Sequence, residues 1–219
     1  SLSIGLNAKS TAGNSVAIGS RAVSSNASIA MSTSYGNYGV AASGMNSIVL
    51  GDGSAASQTS SVAIGYGANS NIKGKFVYAS KSFGGGNAEG SAQGGMFILM
   101  SDTTDATAEA MTTDKATADA TNQIVAATDT CITFSGTVVA MQNGAQAYGS
   151  WEIKGLLVND GGTTTVPTSA ITVINNSSSW GLALSADNTN NALTVQVTGE
   201  ASHNIRWVAN VQTAEVTYA

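Results

Sequence analysis

With 219 residues, 10% charged side chains and a net charge of −5, the chain has room for one large or two modest domains and no basic surface to neutralise phosphates. Nucleic-acid binding therefore lacks its main electrostatic term, and 42% hydrophobic residues in ordered positions exclude a disordered chain. The charge is uneven: residues 1–74 hold Lys9, Arg21 and Lys73 against Asp52, and the remainder carries five basic and twelve acidic residues.

The first feature along the chain is a repeat. Ser-Val-Ala-Ile-Gly occurs at Ser15–Gly19 and again at Ser61–Gly65, with looser copies starting at Ser1, Ser28 and Ser47. Successive starts are separated by 14, 13, 19 and 14 residues. Each copy carries an apolar pair at alternate positions: Leu2 and Ile4, Val16 and Ile18, Ile29 and Met31, Ile48 and Leu50, Val62 and Ile64. A period of two means a strand with these side chains on one face. Gly5, Gly19, Gly51 and Gly65 follow, where a turn needs positive φ or a close backbone approach. A second small-residue stretch comes next, such as Ala22-Val23 or Ala55-Ala56. Two short strands per repeat predict a narrow coil with a thin interior of Ala, Ser and Gly. One such coil buries little apolar area, so several copies are expected to associate along a common axis.

On these residues, the repeat resembles the head of trimeric autotransporter adhesins, the YadA-like head repeat, which also has relatives in phage tail fibres. The resemblance covers residues 1–74 and implies a β-roll or β-helix-like shaft in a homotrimer. The third unit, Ser28–Asn46, departs from it through the insertion Tyr35-Gly-Asn-Tyr38-Gly39, read as a loop at the perimeter. Residues 75–95 read as a Gly-rich connection, with a final strand at Lys75–Tyr78 and flexible runs at Phe83–Gly86 and Ser91–Gly95. Ser1 has no preceding Met and opens a repeat, so the chain is expected to be a piece of something longer. No run of 18 apolar residues appears.

From Met96 onward the pattern is strand and turn. Strands are predicted at Met96–Ser101, Asn122–Ala127, Cys131–Met141, Ser150–Asn159, Ala170–Ile174, Gly181–Ser185, Ala192–Thr198 and Ile205–Tyr218. Turn chemistry separates them at Gln142–Gly144, Asn159–Gly162, Asn175–Ser177 and Asp187–Thr189. Asp102–Ala120 holds either one strand near Ala108–Met111 or a short helix. Roughly eight short strands predict an all-β second domain over 96–219, an antiparallel, jelly-roll-like β-sandwich. Cys131, the only cysteine, lies in an apolar run and reads as a small buried hydrophobe. The strings Trp151-Glu-Ile-Lys-Gly155, Trp180–Ser185, Ile205–Ala209 and Glu215–Ala219 are similar to C-terminal domains of phage tail-fibre proteins, which implies a place in the virion tail.

Catalytic patterns are weak. His203, the only histidine, sits in the turn Glu200–Asn204, and no Gly-x-Ser-x-Gly frames a serine. Metal-ligand spacings are absent. Asn159-Asp160-Gly161 and Asp187–Asn190 offer oxygen ligands for calcium, but tight turns need the same residues. Glycan hydrolysis would need two carboxyls about 5–9 Å apart across a groove, and the densest acidic group is Asp102, Asp105, Glu109 and Asp114. The expected chain is therefore a receptor binder and not an enzyme, with no cofactor. A sugar ring stacks on an exposed aromatic while Asn and Asp bond its hydroxyls. Tyr148, Trp180, Asp187, Asn188 and His203 are the candidate ligand contacts. The expected partners are two further copies of the chain, a host cell-surface polysaccharide or protein, and other tail proteins reached through the missing N-terminal part. A trimerisation clamp and a tailspike-type glycan hydrolase stay open as alternatives.

Overall fold

The computed structural model describes residues 1–32, 39–83, 89–144 and 147–218. The insertion Tyr35–Tyr38 and the glycines Gly84–Gly86, singled out from the sequence, lie outside the described residues. The chain divides into two compact units, Ser1–Gly95 with Ala214–Ala219, and Met96–Thr213. Among the described residues all regular structure is β, and no helix is long and apolar enough to cross a membrane.

The first unit is a β-solenoid of about five turns. Its strands are β1 (Leu2–Ile4), β2 (Lys9–Ser10), β3 (Val16–Ile18), β4 (Ala22–Ser24), β5 (Ile29–Ser32), β6 (Val40–Ala42), β7 (Ile48–Asp52), β8 (Ala55–Ala56), β9 (Val62–Tyr66), β10 (Asn69–Ser70) and β11 (Phe76–Ala79). Odd strands stack in parallel in the order β1-β3-β5-β7-β9-β11, and even strands in the order β2-β4-β6-β8-β10. The stretch 75–95, read from the sequence as a connection, therefore carries a sixth rung of the ladder, 14 residues after Ser61.

Register places equivalent residues above one another. Ala17, Ala30, Ala63 and the valines Val49 and Val77 form one inward column, each fully buried. The flanking columns point outward: Leu2, Val16, Ile29, Ile48, Val62 and Phe76 in one, Ile4, Ile18, Met31, Leu50, Ile64 and Tyr78 in the other. They are half-buried or exposed, reaching 54% for Ile4 and 56% for Tyr78. The small residues are inside because the coil is only one strand pair thick.

The repeat's serine and glycine each have a backbone reason. Ser15, Ser28, Ser47 and Ser61 are fully buried at the corner entering each rung. The hydroxyls of Ser15, Ser28 and Ser61 donate to the carbonyls of Ala12, Ala42 and Gln58 at 2.6–2.7 Å. The residue before the corner is left-handed in each case: Asn14, Ala27, Asn46, Ser60 and, in the sixth rung, Gly74. At Gly65, φ is +111° and an added Cβ would lie 1.9 Å from the carbonyl oxygen of Ala79 on the next rung. No L side chain fits that approach.

The sixth rung replaces the corner serine with Lys75. It is 2% exposed, and its Nζ meets Glu215 Oε2 at 2.7 Å, while Gln93 Nε2 donates to the same oxygen at 2.7 Å. A buried lysine needs a charged partner, because desolvation of an unpaired ammonium costs several kcal/mol.

The second unit is built from β12 (Ala92–Thr103), which enters it at Met96, β13 (Ala108–Ala110), β14 (Ile124–Val125), β15 (Thr130–Gln142), β16 (Tyr148–Asp160), β17 (Thr163–Asn176), β18 (Gly181–Asp187), β19 (Ala192–Thr198) and β20 (Ile205–Thr217), which leaves it after Thr213. One sheet has the order β12-β20-β15-β16-β17. In the other, β19 pairs with β18 along one edge and with β13 and β14 along the other. Trp151 and Trp207 of the first sheet stack at 5.4 Å, and Trp180, just before β18, tilts onto Trp207 at 5.6 Å. Trp207 Nε1 donates to Thr103 Oγ1 at 3.0 Å, which satisfies the buried indole.

Two sequence expectations change here, strand length and the burial of Cys131. The strands are not uniformly short: β15, β16, β17 and β20 run 13 or 14 residues. Ala170–Ile174 is the apolar end of β17, whose Thr-rich start and Pro167 masked it. Pro167 is tolerated because β17 is the last strand of its sheet and its pairing is irregular between Leu156 and Val158. Cys131 is half-buried rather than buried, because alternation gives the core face of β15 to Ile132. Asp102–Ala120 holds the short strand β13 and no helix.

Gly65→Ala is expected to destabilise the solenoid by about 2–3 kcal/mol or more. Gly13→Ala, where an added Cβ meets nothing within 4 Å, should leave the denaturation midpoint almost unmoved. Equal midpoints for the two variants would remove the close-approach account. Lys75→Met is expected to cost about 3–5 kcal/mol by removing the ammonium that faces the buried Glu215 carboxylate, and the double variant Lys75→Met, Glu215→Leu should recover most of it. Additive losses in urea titrations would mean that the pair is not coupled.

Candidate functional site

The second unit has a cleft of about 640 Å³ where the turn between β15 and β16 meets the turn between β19 and β20. Its rim is polar: Asp102 and Thr104 from the end of β12, Gln142 and Asn143 from the first turn, and Asn204 and Arg206 from the start of β20. Met141, 64% exposed, and the buried Ile205 supply its apolar part. The turns are tied together by the Asn143 N–H donating to the Asn204 carbonyl at 2.9 Å, and the Gln142 N–H donates to the Ala147 carbonyl at 3.1 Å. Arg206 is flanked along β20 by Ile205 and Trp207, both buried, which fixes its backbone. The chemistry on offer is hydroxyl recognition by carboxamides and one carboxylate, with a guanidinium at the edge.

The charges of the cleft are linked. Asp102 Oδ2 takes the Lys115 ammonium as an ion-pair partner, and Arg206 Nε stands 3.6 Å from Asp102 Oδ1. The other acidic residues of that segment serve local structure. Asp105 accepts the Thr107 N–H at 2.6 Å, and hydrogen bonds from the Thr107 side chain and backbone hold its carboxyl below the usual aspartate range. Glu109 accepts the Ser101 hydroxyl at 3.1 Å. Asp114 Oδ1 accepts from Asn122 Nδ2 at 2.9 Å and from the Ala116 N–H at 3.1 Å. Among the described residues no group of three or more His, Cys, Asp or Glu side chains is arranged to hold a metal ion.

The five residues selected from the sequence fall in three places. Tyr148, 52% exposed, pairs across the ladder with Met141, and His203 precedes Asn204, so both flank the cleft. His203 Nδ1 stands 3.2 Å from Glu200 Oε2. Trp180 is 4% exposed against Trp207, and its ring face is not offered to solvent. Its place is set by Asn176 Nδ2 donating to the Trp180 carbonyl at 3.0 Å. Asp187 ends β18 and Asn188 follows it, about 20 Å from Trp180 along a seven-residue strand. There Asn188 Oδ1 accepts the Thr164 N–H at 2.8 Å, and Asp187 accepts the N–H groups of Thr189 and Asn190 at 2.9 and 3.1 Å. Asp102, Asn143, Asn204 and Arg206 were missed as one set because they come from three separate strand ends. The legible signal was only that each sits at, or next to, a strand terminus.

Comparison with known proteins adds the following. Residues 1–22 and 42–68 match two copies of the YadA head domain repeat. The N-terminal unit thus carries YadA-like repeats, and the unmatched interval, 23–41, covers most of the long third unit. No curated protein matches the chain. Among solved structures, one similar chain is a tailspike protein, gp49, from Acinetobacter baumannii bacteriophage Fri1, a capsular polysaccharide depolymerase. It has 9% identity over 90% of this chain and 40% of that one, with a TM-score of 0.30. Another is the tailspike protein of Acinetobacter baumannii phage AM24, with 7% identity over 93% of this chain and 42% of that one, and a TM-score of 0.26. This chain thus spans about two-fifths of the length of either, and at such scores nothing about its activity follows from the likeness.

Asp187 gives a pH prediction. Burial raises its pKa, but hydrogen bonds from Asn190 and Thr189 outweigh that and leave it below 3.8. A folded pKa depressed below the unfolded one stabilises fully above the unfolded value and stops doing so as pH falls through the folded value. Carboxyl NMR titration is expected to place the Asp187 midpoint below 3.8, with the contribution of the β18–β19 turn declining as pH falls below the unfolded value and gone once pH has passed that midpoint. A midpoint at or above 3.8 would show that the turn does not hold the carboxylate.

Proposed function

We propose that the chain is part of a phage tail fibre that assembles as a homotrimer and recognises a host cell-surface glycan or protein through its C-terminal unit. One observation carries the reading: two stacked columns of large apolar side chains face outward from a coil whose interior holds little but Ala, Ser, Gly and Val. An apolar face of this regularity is not left in water by a soluble monomer. Sister chains related by a symmetry axis along the coil would cover it, and the resemblance to trimeric adhesin heads selects three. Three parallel copies then present three C-terminal units together, and weak contacts at each combine into useful avidity. The phrases around Trp151, Trp180 and Trp207 support a phage tail over a bacterial surface, and the virion tail is the proposed location.

A second reading, in which the C-terminal unit clamps the trimer, rests on β17. Residues 167–175 are exposed on both faces, including Val173 at 58% and Ile174 at 56%. A strand open on both faces has little reason to stay ordered without a neighbour to cover it. The two roles are compatible in one unit.

Light scattering on the intact protein is expected to give three times the 21.8 kDa chain mass. Met31→Asp, which places a charge in the outward column, should dissociate the oligomer at micromolar concentration. A monomeric mass for the unsubstituted protein would end the proposal. On a glycan array the oligomer should retain a subset of glycans without change to them. Release of reducing ends would identify a hydrolase, and an assembled trimer that ignores host surfaces would leave only the clamp.

A further inference from the structure

We propose that the cleft bounded by Asp102, Asn143, Asn204 and Arg206 binds an acidic saccharide, one bearing a carboxylate, and that the Arg206 guanidinium is the group that selects the acid. The proposal rests on the receptor-binding reading above and names the ligand class of its site.

Charge placement carries the argument. Residues 96–213 include ten acidic side chains and three cations, Lys115, Lys154 and Arg206. Such a unit repels anions over most of its surface. Yet two of its three cations converge on a single carboxylate at the cleft, Lys115 and Arg206 on Asp102. That trio carries a net charge of +1 where the rest of the unit is strongly negative. Lys115 is the close partner of Asp102, whereas Arg206 stands off at 3.6 Å, longer than a hydrogen bond, with 88% of its side chain exposed. Asp102 thus stands near the guanidinium without a hydrogen bond to it, and Lys115 offsets the repulsion that Asp102 would exert on an incoming carboxylate. A planar guanidinium presents paired donors that match a carboxylate, which an isolated ammonium does not.

The remaining surface fits a sugar. Gln142, Asn143, Asn204 and Thr104 supply donors and acceptors for hydroxyls on both sides of Arg206. Exposed Met141 offers a face for ring C–H groups. The Thr103 hydroxyl is already engaged by Trp207, which leaves Thr104 as the available hydroxyl on that edge. About 640 Å³ accommodates a short oligosaccharide segment and not a folded partner. A purely neutral ligand would need the carboxamides but would give no role to two cations gathered at one point of an acidic unit.

The test uses the intact oligomer on an array of uronate-, sialate- and pyruvate-bearing glycans, each beside its carboxyl-reduced neutral counterpart. Binding is expected to acidic members only, to weaken at least 10-fold on carboxyl reduction, and to fall as salt rises. Arg206→Gln should reduce affinity about 10- to 100-fold, with Arg206→Lys intermediate. Both variants should keep the oligomeric mass and denaturation midpoint, since the side chain is exposed. Equal binding of acidic and reduced glycans, or an Arg206→Gln variant that binds unchanged, overturns the proposal. Neutral glycans bound and then lost on Asn143→Ala would remove the acid class and leave the receptor reading standing. An oligomer that binds no glycan of either class removes the acid class together with the glycan branch of that reading.

Discussion

Backbone proximity governs this molecule. In the N-terminal ladder the carbonyl of one rung sits where a Cβ of the rung before would go, as at Gly19 under Ser32 and Gly51 under Gly65. That spacing admits only glycine at the end of four of the six rungs, Gly5, Gly19, Gly51 and Gly65, and only small side chains in the column between the strands. The large apolar residues of each repeat then have one direction left, outward. A sequence that reads as a conventional amphipathic strand is therefore inverted: its bulky face is not the core of its own chain. The self-association proposed above follows from that inversion and is not an added property.

The C-terminal unit solves burial differently. Trp151 and Trp207 of one sheet and Trp180 on the approach to β18 pack together, where the ladder's interior holds alanine. That aromatic core leaves the strand ends to polar side chains, which gather there in turns tied by backbone hydrogen bonds. The cleft is placed by that division of labour. Its carboxamides stand on the two tied turns and at the start of a long strand, and its charged pair, Asp102 and Arg206, projects from strands whose neighbouring residues are locked in the core.

Much of the fold was legible. In-phase copies of one phrase disclosed the ladder, and alternation in Leu193–Thr198 and Ile205–Gln212 disclosed both strands and their buried faces. The sixth rung was harder to see because Lys75 stands where serine does in the other copies, and its reason lies at Glu215, which no local pattern reveals. β17 was half visible, since threonines and a proline hide a strand that has no core to face. The site was the least legible. Trp180 reads as a loop aromatic until the structure sets it against Trp207, and Asp187 reads as a ligand until its turn hydrogen bonds are seen. Asp102 and Arg206 meet only through pairing of strands far apart in sequence, and single-chain patterns carry no record of such meetings.

The buried pair Lys75 and Glu215 is separated by 140 residues. During synthesis the contact between the sixth rung's ammonium and Glu215 cannot form until that whole interval has emerged, roughly ten seconds at ordinary elongation rates. The earlier rungs close with hydroxyls drawn from their own neighbourhood and have no such wait. The chain is thus built with a delayed final latch: the Lys75 corner of the last turn clicks shut on Glu215 only after everything between has been made.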